Sequence, residues 1–264
     1  MCVLPAHMRC LVTLVLVLAA PARAFDLDAA RIVDLTHPFD AATIYWPTAR
    51  RFVLEPRAHG PTAEGWWYAA NDFCAAEHGG THLDAPIHFA EGRWTADEIP
   101  LDRLVGPAVV VDITRKAAQD PDARLTRRDL TAHEGAIGRI PDGAIVLVRT
   151  GWDRWWGEPG RYLGSTTPGD TEHLHFPGVS AEAAVWLTTA RRVRAVGIDT
   201  ASIDPGVARR FEAHRALANA NTPVFENLAG LEHLPDAGAV FIGLPMKIAG
   251  GTGGPLRAIA VLPR

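Results

Sequence analysis

Five continuous apolar runs of strand length punctuate the chain after its first hundred residues: Pro107–Ile113, Ala144–Thr150, Arg194–Asp199, Ala239–Leu244 and Leu256–Leu262. Short unbroken apolar segments bounded by turn signals read as buried strands, and Pro141-Asp142-Gly143 supplies such a turn ahead of the second. Upstream, Arg31–Leu35 and Phe52–Leu54 read as early strands, and Trp66–Glu77 leads into a stretch rich in histidine. Helical patterning fits Arg127–Ile137, opened by Thr126 with Asp129 three residues on, and Ala181–Arg191, opened by Ser180. A third helix is expected over Val207–Ala218. Gly151–Gly178, rich in Gly, Pro and Trp, reads as a long surface loop, and long irregular loops are often functional. No Gly/Ser linker or charge block divides the chain, so these elements predict one α/β (mixed α and β) domain with several central strands.

Composition narrows the class. The chain has 264 residues, 48% hydrophobic and 21% charged, with a formal net charge of −4. That is an ordinary globular balance with enough apolar residues for a sizeable core. The slight acidic excess argues against nucleic acid or an anionic membrane surface as a partner. At the N-terminus, Leu11–Ala20 is a short apolar stretch preceded by Arg9 and followed by Ala22-Arg23-Ala24, a small-x-small pattern. It is too short to span a bilayer, which takes about 20 apolar residues. Residues 1–24 are therefore expected to be a secretion signal cut after Ala24, with Met8 an equally good start, leaving an exported domain over 25–264 with no membrane attachment. Cys2 and Cys10 leave with the signal. The remaining Cys74 cannot form an internal disulfide and is expected to be a buried small hydrophobe.

Chemistry concentrates in one stretch. Glu77-His78-Gly79-Gly80-Thr81-His82-Leu83-Asp84-Ala85-Pro86-Ile87-His88 places three histidines and an aspartate within eleven residues. Imidazole and carboxylate are first-row metal ligands. On a helix Asp84 would lie on the far side of His82, and two glycines and a proline oppose helix formation. On a strand of period two, the even-numbered His78, His82, Asp84 and His88 project to one side, with Pro86 ending the ladder. The prediction is a strand running into a loop with its ligands facing a cavity. A histidine-rich loop without metal is the alternative, and three histidines and an aspartate in phase weigh against it. A zincin is excluded because Gly79 stands where His-Glu-x-x-His needs its glutamate, and no Gly-x-Ser-x-Gly elbow supports a serine hydrolase.

Farther on, His214 lies in an apolar helical stretch and Glu226 follows the turn Asn221-Thr222-Pro223. Alone they read as a surface histidine and a capping glutamate. However, His78-x-Gly80-Thr81-His82-x-Asp84-x-Pro86-x-His88 resembles the signature of the metal-dependent cyclase family, which includes bacterial kynurenine formamidases and isatin hydrolases. Asp34-Leu35-Thr36-His37-Pro38 with Trp46-Pro47, Asp199–Asp204, and Leu244–Ile248 with Gly250-Gly251 resemble its other blocks. The resemblance implies a compact swivelling β/β/α fold, homo-oligomeric as a dimer or higher, with His78, His82 and Asp84 as metal ligands and His88 as catalytic acid/base. It also implies that His214 and Glu226 complete a second metal position, as in the dizinc members. Isatin hydrolases, which share the long middle loop and the Asn221–Leu228 block, use one manganese. The cofactor is thus Mn2+ or Zn2+, as one ion or two.

Those residue types suit amide hydrolysis, which needs an activated water and a proton for the departing nitrogen. His88, with an ordinary pKa of about 6.5, suits the proton transfers. A fourth metal ligand is the alternative role for it. Of the eight tryptophans, Trp46, Trp66, Trp67 and Trp94 flank the metal segment and Trp152, Trp155 and Trp156 populate the long loop. Trp46 and Phe89 are the first candidates to hold a flat aromatic substrate. The expected activity is opening of a C–N amide bond in a small indole-derived aromatic, as in isatin hydrolases. Removal of formyl from N-formylkynurenine is the second enzymatic candidate, and a non-catalytic exported metal or ligand binder is the candidate from another class.

Overall fold

The computed structural model describes residues 29–263; the apolar leader and its Ala24 pattern lie outside them. Twelve strands are present among the described residues: β1 (Arg31–Asp34), β2 (Val53–Pro61), β3 (Trp67–Cys74), β4 (His82–Asp84), β5 (Val105–Asp112), β6 (Arg124–Leu125), β7 (Ile145–Arg149), β8 (Gly178–Val179), β9 (Ala195–Ile198), β10 (Val224–Glu226), β11 (Ala237–Pro245) and β12 (Gly253–Leu262). The helices are α1 (Leu101–Leu104), α2 (Thr114–Ala117), α3 (Arg127–Ile137), α4 (Pro159–Leu163), α5 (Ala181–Ala190) and α6 (Glu212–Asn219).

The main sheet runs β1-β12-β11-β5-β7-β9-β10-β4, and β4 pairs back onto β12. Seven strands therefore close into a barrel-like ring. The long β12 makes closure feasible: its start, Gly253–Pro255, pairs with β4, and its end pairs with β1 along the same edge. The central strands β5, β7 and β9 are parallel. Their apolar runs are buried on both faces, as expected for continuous hydrophobic strands. Val110, Ile145, Leu147 and Ala195 point into the ring with Phe225 and Phe241, while Val109, Val111, Val146, Val148 and Val196 pack under the helices.

The helix starts follow side-chain chemistry. Thr126 and Asp129 close a reciprocal capping box on α3, and the Ser180 hydroxyl accepts from Ala183 N on α5. The third predicted helix begins at Glu212 rather than Val207. Phe211 adopts a left-handed φ of 49°, which breaks any helix entering it, and the Asp204 carboxylate accepts from Ala213 N and His214 N instead. Trp66–Glu77 leads into the histidine-rich stretch as part of a ribbon. Its strand is confined to Trp67–Cys74, and it forms with a longer β2 a two-stranded ribbon on which Leu54, Trp66, Trp67, Tyr68 and Phe73 are exposed. Cys74 is only half-buried.

The segment 151–178 runs along the surface, as expected, but is anchored by a buried aromatic cluster. Trp152, Tyr162, Leu163, Leu174 and Phe176 are buried around Ile44 as a third apolar cluster, with Trp46, Trp155 and Trp156 against it. Tryptophan and tyrosine scattered through a Gly/Pro-rich stretch show no strand or helix period, so the burial left no pattern to read. No helix of the described residues is long and apolar enough to cross a membrane.

Candidate metal and active site

Of the histidine-rich stretch, only His82–Asp84 is strand, paired with β10 on one side and β12 on the other. Its period of two points His82 and Asp84 the same way, and the register sets Glu226 of β10 opposite His82. His78 reaches the cluster from a turn at Gly79-Gly80, where Gly80 has φ 59° and an added Cβ at Gly79 would lie 2.0 Å from the Tyr45 ring. His88 ends a 3-10 turn begun by Pro86. His214 enters from the first turn of α6. The four even-numbered residues thus line one cavity, though a continuous strand does not carry them all.

Asp84 joins two donor sets, His78/His82/Asp84 and Asp84/His214/Glu226, each with its atoms within 4.8 Å of one another. Asp84 Oδ1 is 2.6 Å from His78 Nδ1 and 3.1 Å from His82 Nε2, and Oδ2 is 3.0 Å from His214 Nε2. Glu226 Oε1 lies 3.1 Å from His214 Nε2 and accepts from Ile203 N at 2.7 Å.

Each imidazole is anchored outside the cluster through its other nitrogen. His82 Nδ1 faces Gly80 O at 2.9 Å, His214 Nδ1 faces Asp204 Oδ2 at 2.7 Å, and His78 Nε2 faces Thr252 Oγ1 at 2.8 Å. Thr252 in turn donates to Glu77 Oε2. These outer partners fix the ring orientations and turn His82 Nε2, His214 Nε2 and His78 Nδ1 toward Asp84 inside the cluster, the arrangement of metal-binding histidines.

Electrostatics point the same way. Burial raises the pKa of Asp84, but hydrogen bonds from His214, His78 and His82 outweigh it and hold the carboxyl well below its usual range. Burial and the Asp84 charge push Glu226 up. Burial also opposes ionisation of Asp204, yet its His214 bonds keep its pKa low. Carboxylates so closely set, with imidazole nitrogens between them, fit a divalent cation.

His88 belongs to neither donor set. Its ring stacks on His78 at 3.8 Å and lies edge-on to Phe89 at 4.4 Å. The side chain is open to the cavity, but the protein around it removes enough hydration to lower its pKa to about 4, not the ordinary 6.5 expected from sequence. The cavity, of about 310 Å³, is walled on its apolar side by Ile44, Tyr45, Trp46, Phe89 and Phe211. Phe211 lies 5.2 Å from Phe89 and 6.2 Å from Trp46 between ring centroids.

The family model described as "Putative cyclase" matches residues 33–205, more than half of the chain. The chain belongs to the cyclase family. An isatin hydrolase of Roseibium aggregatum is 34% identical over 210 residues, covering 76% of this chain and 78% of the relative. A kynurenine formamidase of Sphingopyxis alaskensis is 27% identical over 230 residues, covering 87% and 97%. The solved structure of an isatin hydrolase bound to the product analogue thioisatinate superposes with a TM-score of 0.80 at 30% identity, covering 90% of this chain and 94% of that one.

Within this cyclase-family cavity the structure places all eight sequence-derived candidates: His78, His82, Asp84, His88, Phe89, His214, Glu226 and Trp46. The tryptophans split. Trp66 and Trp67 lie exposed on the ribbon and Trp94 packs against the ring core, so neither group lines the cavity. Sequence reasoning missed Asp204, Thr252, Asn227 and Phe211. Asn227 and Thr252 are brought in by pairings over long sequence separations, Asp204 lies beyond the reach of a local capping motif, and Phe211 carried no polar signal.

Proposed function

We propose that the protein is a metal-dependent amidohydrolase that opens the cyclic C–N amide bond of a small indole-derived aromatic, isatin to isatinate. The observation that carries this is the juxtaposition of an aromatic slot, made by Trp46, Phe89 and Phe211, with the shared donor cluster and His88 at its floor. His78, His82 and Asp84 would hold one divalent cation, Mn2+ or Zn2+, and His214 and Glu226 with Asp84 a second. A cation there supplies a Lewis acid that acidifies water and polarises a carbonyl.

The chain's own groups do the rest. The slot faces hold a planar ring, so that its amide edge meets the polar floor. His88, with its lowered pKa, rests as neutral imidazole at neutral pH, the form that accepts a proton. It takes the proton of the water that adds to the amide carbon and returns it to the nitrogen as the C–N bond breaks, giving a carboxylate and an aryl amine. The position of His88 beside the donors and outside both sets is what favours this over a ligand role, and it lends no support to a non-catalytic binder.

Turnover of isatin and N-formylkynurenine by the metal-loaded protein tests the substrate. Hydrolysis of isatin is expected, a clear preference for N-formylkynurenine would reassign the reaction, and no turnover of either would overturn it. His88→Ala should keep its metal content and lose about 10²–10⁴-fold in rate. Elemental analysis that finds one ion per chain supports the mononuclear form, and two the dinuclear form. Export and assembly belong to the same proposal: N-terminal sequencing of secreted protein is expected to begin at Phe25, and light scattering to give at least twice the protomer mass. The exposed apolar side chains of the β2–β3 ribbon support assembly.

A further inference from the structure

The segment 151–178, anchored by its buried aromatic side chains, reaches the donor cluster through Tyr162. Tyr162 of α4 is fully buried, and its hydroxyl donates to Asn227 Oδ1 at 2.8 Å, with Asp199 O 3.2 Å away. Asn227 directly follows Glu226, is itself buried, and adopts a left-handed φ of 53°. A non-glycine residue in that region costs free energy and persists where its surroundings over-determine it.

Here they do. Asn227 N donates to Thr200 O, and Asn227 O accepts from the Thr81 hydroxyl at 2.7 Å. Asn227 Nδ2 donates to Gly80 O at 2.7 Å, the same carbonyl that faces His82 Nδ1. The orientation of the amide follows from these partners. Reversed, its oxygen would meet the Gly80 carbonyl oxygen, two acceptors in repulsive contact, and the Tyr162 hydroxyl would have to turn to Asp199 O to accept from the NH2.

We propose that Asn227 is a positioning residue for His82, fixing the Gly80 carbonyl that holds the His82 proton on Nδ1, and that Tyr162 sets the Asn227 amide, so that segment 151–178 tunes the cation affinity of the site. The proposal rests on the reading of His82 as a ligand. Tyr162→Phe removes one hydroxyl and keeps the ring against Trp156, 5.3 Å away. Asn227→Gly removes the amide while relieving the left-handed backbone.

The test is competition for Zn2+ with a chromogenic chelator, on full-length protein, beside urea unfolding of the metal-free form and the visible absorption of the Co2+ form. Zn2+ affinity is expected to fall about 10-fold for Tyr162→Phe and 10- to 100-fold for Asn227→Gly, as for other groups that orient a metal-binding histidine. The Co2+ spectrum should change in both variants. Unaltered affinity and spectrum in folded Tyr162→Phe and Asn227→Gly, even with a lower urea midpoint, would reduce the pair to a packing role and overturn the proposal. His82→Ala serves as the separate control: if it binds Zn2+ as tightly as the parent protein, the ligand assignment fails, and the proposal with it.

Discussion

Asp204→Asn probes the group on which the third histidine depends. Asp204 is buried, its Oδ1 accepts from Ala213 N at 2.8 Å, and its Oδ2 accepts from His214 N at 2.9 Å and His214 Nδ1 at 2.7 Å. Asparagine offers one acceptor oxygen and one NH2. In its better orientation the oxygen keeps both His214 contacts, and the NH2 is turned against the Ala213 N–H. One buried donor then lacks a partner, at about 1–3 kcal/mol, and the retained bonds lose their charge assistance, at about 1 kcal/mol more. The start of α6 also loses the anion that complements its dipole. Together these give roughly 2–4 kcal/mol, a large share of a typical stability of about 5–15 kcal/mol. Cation affinity should fall about 10- to 100-fold, because a neutral amide supports the His214 imidazole less strongly than a carboxylate. Urea unfolding of the metal-free protein reads the first quantity, and chelator competition the second. A variant within about 0.5 kcal/mol of the parent and with unaltered Zn2+ affinity would refute the role given to Asp204.

Three further outcomes are expected. Gly79→Ala puts a Cβ 2.0 Å from the Tyr45 ring, so the turn presenting His78 must shift; about 1–3 kcal/mol should be lost, together with cation affinity, by urea unfolding and chelator competition. His37 stacks on Trp156 at 4.0 Å, its Nε2 has no hydrogen-bond partner, and burial lowers its pKa from 6.5 to about 4. A base depressed in the folded state stabilises it above pH 6.5 and loses that contribution as pH falls toward 4, so His37→Phe should be neutral or slightly stabilising at pH 7 and should flatten the fall of urea midpoint between pH 6.5 and 4. Glu134 bonds Arg191 through both oxygens and accepts from Ile140 N, and the Arg191 guanidinium chiefly holds its pKa below 4.5. Its contribution is present above pH 4.5 and lost on acidification, so Glu134→Gln should cost about 1 kcal/mol at pH 7 and nothing once the parent glutamate is protonated, by urea midpoints at both pH values.

Much of this molecule is legible from local patterns. The apolar runs that became β5, β7 and β9 announce themselves because a strand buried on both faces has no polar alternation to obscure it, and those of β11 and β12 because apolar residues fill even their partly exposed face. Thr126 and Ser180 mark their helices because their hydroxyls do the capping that the backbone needs. The histidine-rich stretch is legible because its donors are close in sequence. What stayed hidden depends on distance along the chain. Asp204 caps α6 from eight residues before its first residue, a separation no local capping motif spans. Asn227 and Tyr162 meet across 65 residues, and Thr252 reaches His78 across 174. The buried role of Tyr162 and Phe176 was masked by Gly and Pro neighbours that signal turns, which they form, but which do not say on which side of the turn the aromatic packs.

The same strand pairing that supplies three of the donors, His82, Asp84 and Glu226, also makes room for His78. β4 lies between β10, which contributes Glu226 opposite His82, and β12, which places Gly253 opposite Asp84. A Cβ at Gly253 would come within 2.5 Å of Leu83 O and 2.6 Å of the His78 ring, so only the bare backbone lets β12 close the ring while His78 stays against Asp84. Ring closure and donor convergence are therefore one geometric event, carried by three residues of β4 and their two neighbours. His214 and His88 arrive on helical elements outside the ring, and the buried aromatic segment reaches the same carbonyl through Asn227. A site assembled this way keeps His82, Asp84 and Glu226 on paired backbone and takes His78, His214 and its aromatic wall from turns, loops and helices.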